Sequence, residues 1–313
     1  MTRIFVFEYL TGLATTDADA PAELYAQGLA MRDAVAADLV RARRFDVSVA
    51  AGAEVPGAPL PASTVRPRPG EAAAAFVARQ AARHELCWII APESDAILAT
   101  MRGAVDEARW IGCSLAAIEV ATSKRATLLT LAAAGLATPL AFDHAERTHR
   151  WVVKPDDGAG ALDTRVHATL DAARADLAQR RAAATLEAWV DGDPLSLSLL
   201  CGHDGVELLS VNRQHVSTDP LGMVHFNGVT HGAVAMDGAG ALVLQRFAER
   251  IHAALPGLRG FVGVDLVWHR AAGPVVIEVN PRVTSAYAGL SARLRRNLAA
   301  DVVAAHAEEL AHA

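Results

Sequence analysis

An α/β fold is what this sequence predicts, with a parallel α/β unit first and a mixed α+β region of further strands after it. Three observations predict it. Short β-branched and aromatic runs alternate with stretches of helical periodicity through the first 121 residues, the pattern of strands joined by crossover helices around a parallel sheet. Beyond residue 184, apolar runs succeed one another with turn residues between them. The composition, 52% hydrophobic and 20% charged, is that of a chain that folds around a core. A length of 313 residues suggests two or three domains.

The run RIFVFEYL at 3–10 reads as the first strand. Leu24, Leu29, Met31, Val35, Leu39 and Val40 recur at helical spacing and predict a helix over 22–44. FDVSVAAG (45–52) reads as a second strand, and Pro59, Pro61, Pro67 and Pro69 predict a loop between Gly57 and Gly70. A helix over 71–84, a buried strand LCWIIAPE (86–93), a helix over 96–112 and a short strand SLAAIE (114–119) complete a unit that ends near Ala121. TSKRATLLTLAAAGLATP (122–139) predicts a capped helix: Thr122 or Ser123 can accept from its first amides, Gly135 stops it and Pro139 follows.

A strand then leads to Lys154 and the turn Gly158-Ala159-Gly160, and a helix follows near 168–182. TLEAWVDGDPLSLSLLCG (185–202) reads as a strand, a turn at Asp191-Gly192 and a second strand. GVELLSVNRQHV and GMVHFNGVTHGA are further strands, and 239–254 is a helix. GFVGVDLVWHR and PVVIEVNPR are expected to pair across a turn near 271–273, and a terminal helix starts at about Leu290. The expected domains are 1–121, 122–187 and 188–313.

Charge and composition exclude several functions. A net charge of −6 offers no general attraction to nucleic acid or to an anionic membrane. No stretch is long and apolar enough to span a bilayer, and MTRIFVFEYL is too short and acidic for a secretory signal, so the protein is expected in the cytoplasm. Cys87, Cys113 and Cys201 are too far apart for a metal motif or a disulfide framework and read as buried thiols. Trp88, Trp110, Trp151 and Trp268 read as core, RLRRN (293–297) as a solvated helix face, and the histidines show no ligand spacing.

Three stretches carry candidate chemistry. In WVVKPDDGAG a strand ends on Lys154 and a glycine turn follows; glycines let backbone amides approach a phosphate and the lysine adds charge. An ordinary turn with a surface lysine is the alternative. The missing third glycine argues against a dinucleotide-binding fingerprint, and so against an NAD-dependent dehydrogenase. In VVIEVNPR, Glu278 and Asn280 are two apart and share a sheet face, which Asp265 on the neighbouring strand can join. Two carboxylates and an amide oxygen suit a hard divalent cation whose other positions are filled by water and phosphate. Solvent-facing strand ends are the alternative, but Asp265 sits inside the apolar run FVGVDLVW. In TLEAWVDGD, a strand entering a turn could present its backbone to an adenine edge, or form a plain β-hairpin. Glu8 and Tyr9 end the first strand, where an α/β domain binds ligands, and are expected to face a substrate.

Taken in order, these pieces resemble the ATP-grasp superfamily of carboxylate–amine ligases. SK at 123–124 before GLATP, the lysine strand with its glycine loop, LEAWVDG, and GVD with IEVNPR resemble the family's successive motifs, and the N-terminal unit resembles its preceding domain. FVFEYLTG, APESDAIL, SVNRQ and EVNPRVTSAYAGL extend the resemblance to the tyramine–glutamate ligases of methanofuran biosynthesis and their bacterial relatives in one-carbon metabolism.

The resemblance implies ATP as the nucleotide, with Lys124 and Lys154 on its phosphates and Gly158 and Gly160 looped over them. It implies Glu187, Trp189 and Val190 around adenine, Asp193 on the ribose, and Asp265, Glu278 and Asn280 holding two Mg²⁺ ions, with Mn²⁺ as the other candidate metal. Arg282 would face the γ-phosphate or the tetrahedral centre. Some relatives carry an arginine where this chain has Gly263, and Arg213 or Arg282 would supply that charge. Ser285 and Tyr287 would lead from the metal to the substrate. The implied reaction joins the γ-carboxyl of glutamate to tyramine or tyrosine through an acyl phosphate. A ligase for another amino acid or peptide, or a non-catalytic nucleotide-binding protein, are the alternatives. Small acids and amines are the expected partners, and a homodimer is the assembly allowed for.

Overall fold

The computed structural model describes residues 1–14, 22–57, 61–143, 148–158 and 160–312, with side chains through residue 307. Pro59 of the proline-rich loop and Ala159 of the glycine turn lie outside these residues. The first strand, β1 (Thr2–Glu8), occupies the centre of a five-stranded sheet with β2 (Phe45–Ala50), β3 (Ser63–Val65), β4 (Leu86–Ile90) and β5 (Trp110–Ile111), in the order β3-β2-β1-β4-β5. Every pairing is parallel, as the alternation of strands and helices predicts. A central parallel strand is covered on both faces. Accordingly Ile4 and Val6 pack with Met31, Val35 and Leu39 of the helix Ala22–Arg41, while Phe5 and Phe7 pack with Phe76 and Val77 of the helix Ala73–Ala81.

Five elements differ from the sequence reading. The first strand stops at Glu8, because the Glu8 carboxylate accepts from the amides of Leu10 and Thr11 and caps a short helix, Tyr9–Gly12. The proline-rich stretch still holds β3, a three-residue edge strand between prolines, where few amides need partners. The segment 114–119 is helical, not a strand: Ser114 Oγ accepts from the amide of Ala117 and starts the helix Leu115–Thr122. A short apolar run is ambiguous between the two states until its cap is recognised. The expected helix over 96–112 ends at Gly103, and its Trp110 and Ile111 form β5 instead. The C-terminal helix is likewise broken into Leu290–Leu294 and Leu298–His312, with Arg295 left-handed at φ 54° between them.

After the helix Lys124–Ala133, a small antiparallel sheet forms from β6 (Trp151–Pro155), β7 (Arg165–His167) and β8 (Ala184–Ala188), with β6 central. The helix Leu170–Gln179 covers it, Ala173 meeting Trp151, Val153 and Ala188. A second five-stranded sheet follows: β9 (Asp193–Cys201), β10 (Val206–Thr218), β11 (Val224–Thr230), β12 (Gly260–His269) and β13 (Gly273–Asn280), ordered β11-β10-β9-β12-β13 and antiparallel throughout. The helix Ala239–Ala254 packs Leu244, Ala248 and Ile251 against Leu197 and Leu199. That core is continuous with Phe5 and Phe7 of the parallel sheet. All three cysteines are buried, and so are Trp88, Trp110 and Trp151, while Trp268 is partly buried.

β8 and β9 do not form a hairpin. β8 pairs with β6, and β9 pairs with β10 and β12, so residues 189–192 carry the chain from one sheet to the next. Gly192 makes that crossing possible: a Cβ there would lie 2.3 Å from the carbonyl oxygen of Trp268 and 2.7 Å from Val267 Cγ1. Gly192→Ala is expected to lower the unfolding free energy by about 1–3 kcal/mol, the usual cost of overpacking. Urea denaturation measures this, and a change within about 0.5 kcal/mol would show that the crossing has slack.

Candidate active site

The three sheets enclose one large cleft of about 720 Å³, a volume ordinary for a small-molecule site. Its floor is the exposed face of β12 and β13. Asp265 and Glu278 are direct cross-strand partners, and Gly263 lies opposite Asn280. A β-bulge between Asp265 and Leu266 adds Ile277 to the facing strand and turns Glu278 into the cleft. Val279 between Glu278 and Asn280 points into the core and is 1% exposed. Burial, and then the charge of Glu278, push the Asp265 carboxyl up to about 7, against the opposing hydrogen bonds of Gln214 and Asn280. The Asn280 amide nitrogen lies 3.5 Å from Asp265 Oδ2.

Two buried lysines face this floor. Lys124 starts its helix beside the Ser123 cap, and its Nζ lies 3.4 Å from Glu278 Oε2 and donates to the carbonyl oxygen of Gly158 at 2.9 Å. Asp156 fastens the glycine turn to this helix: it accepts from Ser123 Oγ at 2.7 Å and from the amide of Arg125 at 2.9 Å. Lys154 on β6 pairs with Glu187 on β8 at 2.9 Å, and Thr185 Oγ1 donates to the other Glu187 oxygen at 3.0 Å. Gly158 and Gly160 have φ of 120° and 73°, backbone that suits glycine in a turn lining the cleft. Trp189 and Val190 continue the wall, with the Arg150 guanidinium 5.3 Å from the Trp189 ring centre and ion-paired to Asp191.

The opposite wall comes from the parallel sheet. Glu8 and Tyr9 reach it, together with Leu24, Gln27, Met31 and Ile90. Glu8 is 3% exposed; burial raises its carboxyl above the ordinary range, against the hydrogen bonds from Thr11 and Leu10. Arg282 spans the two walls. Burial works against its charge, but Glu93 holds it ionised through paired bonds, Nε to Oε1 at 2.9 Å and Nη2 to Oε2 at 2.8 Å. Ser285 lines the cleft beside it.

Three expected site residues are not brought to the cleft. Asp193 and Arg213 pair with each other at 3.1 Å on the far face of the sheet, because the period of two points Pro194, Ser196 and Gln214 inward. Asp191, and not Asp193, is the acid on the wall. Tyr287 is 1% exposed, packs edge-on against Trp88 and Phe261, and donates its hydroxyl to Asp38 at 2.8 Å. Asp38 also accepts from Ser291 and Arg41, so this cluster ties the helix Ala22–Arg41 to the C-terminal segment. Tyr287→Phe is therefore expected to cost about 1.5–3 kcal/mol of stability, the worth of a hydrogen bond to a charged group, in a thermal or urea melt. Nucleotide affinity should not change, and a selective loss of affinity would return Tyr287 to the site.

Sequence reasoning missed Gln214, Ser196, Asp157, Arg150 and Glu93. Gln214 was legible: the Asn212 amide donates to Ser196 and Ser198 of β9, and the alternation of β10 puts Gln214 on the same face. Glu93 was not, because its partner lies 189 residues away. Among the described residues no three His, Cys, Asp or Glu side chains converge as metal ligands. The donor set on β12 and β13 is two carboxylates and an amide, all oxygen, with mutual repulsion that a cation would relieve, and this fits Mg²⁺.

Comparison with known proteins agrees with this geometry. Residues 121–286 match the family described as ATP-grasp domain, and residues 45–118 match the pre ATP-grasp 3 domain. No curated protein sequence matches. Among solved structures, the chain is similar to an ATP-grasp superfamily protein from Archaeoglobus fulgidus at TM-score 0.75 and 20% identity, covering 97% of this chain and 88% of that one. It is similar to the L-amino acid ligase from Bacillus licheniformis at TM-score 0.66 and 16% identity, covering 93% and 68%. It is also similar to D-alanine–D-alanine ligase from Bacillus anthracis complexed with ATP, at TM-score 0.67 and 13% identity, covering 100% and 99%.

Proposed function

This chain belongs to the ATP-grasp family, and on that premise we propose that it is an ATP-dependent ligase that joins a carboxylate to an amine. The observation that carries this reading is the direct pairing of Asp265 with Glu278 on the cleft floor, with Asn280 beside them and Lys124 and Lys154 facing them. A hard cation and a triphosphate need such a set. Solved ligases of similar fold, acting on amino acids by name, support amide formation.

In this reading Asp265, Glu278 and Asn280 would hold Mg²⁺, which when bound would neutralise charge on the transferring phosphoryl group. Lys124 and Lys154 supply fixed positive charge to the phosphates, and the Gly158–Gly160 turn covers them. Trp189 and Val190 line the adenine pocket with Glu187, and Asp191 takes the ribose role expected of Asp193. The substrate carboxylate attacks the γ-phosphorus of ATP, and ADP leaves with the bridging oxygen. The amine then attacks the acyl carbon, loses a proton, and phosphate departs. Arg282, held by Glu93, donates first to the transferring γ-phosphoryl group and then to the oxyanion that forms at the acyl carbon; one such donor is worth roughly 3–4 kcal/mol. The same arginine supplies the charge absent at Gly263. Closure of the cleft keeps water from the acyl phosphate.

The finer proposal is glutamate, through its γ-carboxyl, and tyramine or tyrosine. The motifs that resemble tyramine–glutamate ligases support it, and so does a wall where Glu8 stands among Tyr9, Leu24, Met31 and Ile90, suited to an ammonium on an apolar body. The test is ADP release over pools of acids and amines, with mass spectrometry of the product. ADP release that needs both glutamate and tyramine supports the pair. Release with a different pair rejects the pair and keeps the ligase. ATP binding without ADP release for any pair points to a non-catalytic nucleotide-binding protein.

A further inference from the structure

The segment that follows β4 has no assigned role, yet it bears on two parts of the cleft at once. Pro92 and Ser94 line the cleft, and Glu93 between them is 3% exposed. Glu93 uses both carboxylate oxygens on Arg282, at 2.9 and 2.8 Å. Arg282 Nη1 donates in addition to the carbonyl oxygen of Val283 at 3.1 Å. A guanidinium has five N–H donors in one plane. These contacts fix that plane and leave the remaining N–H groups of Nη1 and Nη2 for the cleft, which Arg282 lines.

The backbone that presents Glu93 is held in an uncommon shape. Asp95 and Ala96, neither of them glycine, are both left-handed, at φ 53° and 54°. Such residues persist only where their surroundings over-determine them. Here the Asp95 amide donates to Asp157 Oδ2 at 2.8 Å, on the turn that carries Gly158. One short loop of the parallel domain thus grips both the glycine turn and the arginine beyond the metal-binding strand.

We propose that Glu93 is a positioning residue, which orients Arg282 toward the transferring phosphoryl group from a different domain. It touches no substrate and acts only through Arg282. The proposal rests on the phosphoryl-transfer reading of the cleft given above. A bidentate carboxylate is suited to this task because it fixes both the position and the plane of a guanidinium.

The test needs no knowledge of the acid or amine. Affinity for MgADP alone is compared with affinity for MgADP plus aluminium fluoride, a mimic of the transferring phosphoryl group. The wild-type protein is expected to bind the fluoride complex at least about 10²-fold more tightly, as transition-state mimics do. Glu93→Ala and Glu93→Gln should each lose about 10- to 100-fold of that gain, the usual cost of a misplaced catalytic group, with MgADP affinity held within about twofold. Glu93→Gln keeps the side-chain volume and one acceptor, so it serves where the alanine variant does not fold. The variant pair Glu93→Ala and Arg282→Ala should lose no more than Arg282→Ala alone, because a residue that acts through another has nothing left to act on. Additive losses overturn the proposal, as does a Glu93 variant that keeps the wild-type gain. Equal losses of MgADP and fluoride-complex affinity show a merely structural pair and also overturn it. A wild-type protein that gains nothing from fluoride rejects the phosphoryl-transfer reading itself, and the proposal with it.

Discussion

Glu278→Ala is expected to lower turnover by about 10²–10³-fold while the protein stays folded. A metal that stabilises transferring charge contributes several kcal/mol, and each 1.36 kcal/mol is tenfold in rate. Glu278 pairs directly with Asp265 across β12 and β13. Its removal leaves Asp265 and Asn280 to hold the cation alone. The same change relieves a like-charge repulsion, since the charge of Glu278 helps to push Asp265 up to about 7. It also frees Lys124 from its 3.4 Å contact. Stability should therefore change little. The rate of ADP formation and a thermal melt, measured on one preparation, separate the two effects. Turnover within about threefold of wild type would remove Glu278 from the metal site.

Lys154→Met should be damaging twice over. Lys154 and Glu187 form an ion pair with side chains 7% and 4% exposed, and removing one partner of such a pair costs about 3–5 kcal/mol because the other charge stays buried. Thr185 alone remains to hydrogen-bond Glu187. Adding Glu187→Gln to Lys154→Met removes the stranded charge, so stability should return toward wild type. Turnover should not return, because the lysine charge on the phosphates is still missing. A double variant that recovers both stability and turnover would make the pair purely structural. A single variant as stable as wild type would mean that water reaches Glu187.

What the sequence made legible follows from how local each signal is. The polar face of β12 and β13 was legible because strand periodicity is strict: Glu278 and Asn280 had to share a face, and an aspartate inside FVGVDLVW had to be accounted for. Lys124, Lys154 and the glycine turn were legible because each sits at the end of a predictable element. The same periodicity, carried one step further, would have turned Asp193 and Arg213 away from the cleft. The resemblance implied both, and the alternation of β9 and β10 turns them away from the cleft. Tyr287 lies near Arg282 in sequence, but the chain turns after Pro281 and buries the ring against Trp88 and Phe261. The helix at Leu115–Thr122 was missed because an apolar run of a few residues fits either state, and only the Ser114 cap decides. Glu93 lies in APESDAIL, but nothing local joins it to Arg282, which lies 189 residues away.

The central claim is that a carboxylate is activated by phosphoryl transfer in this cleft. Isotope transfer tests it most directly. The acid whose addition, together with an amine, raises ADP release is labelled with ¹⁸O in its carboxyl group, and the phosphate formed is examined by mass spectrometry. One labelled oxygen is expected to pass from the carboxylate into each phosphate, because the bond made to phosphorus is kept when the amine displaces phosphate from carbon. Unlabelled phosphate, formed at the rate of ADP release, would mean that water is the acceptor and would contradict the account.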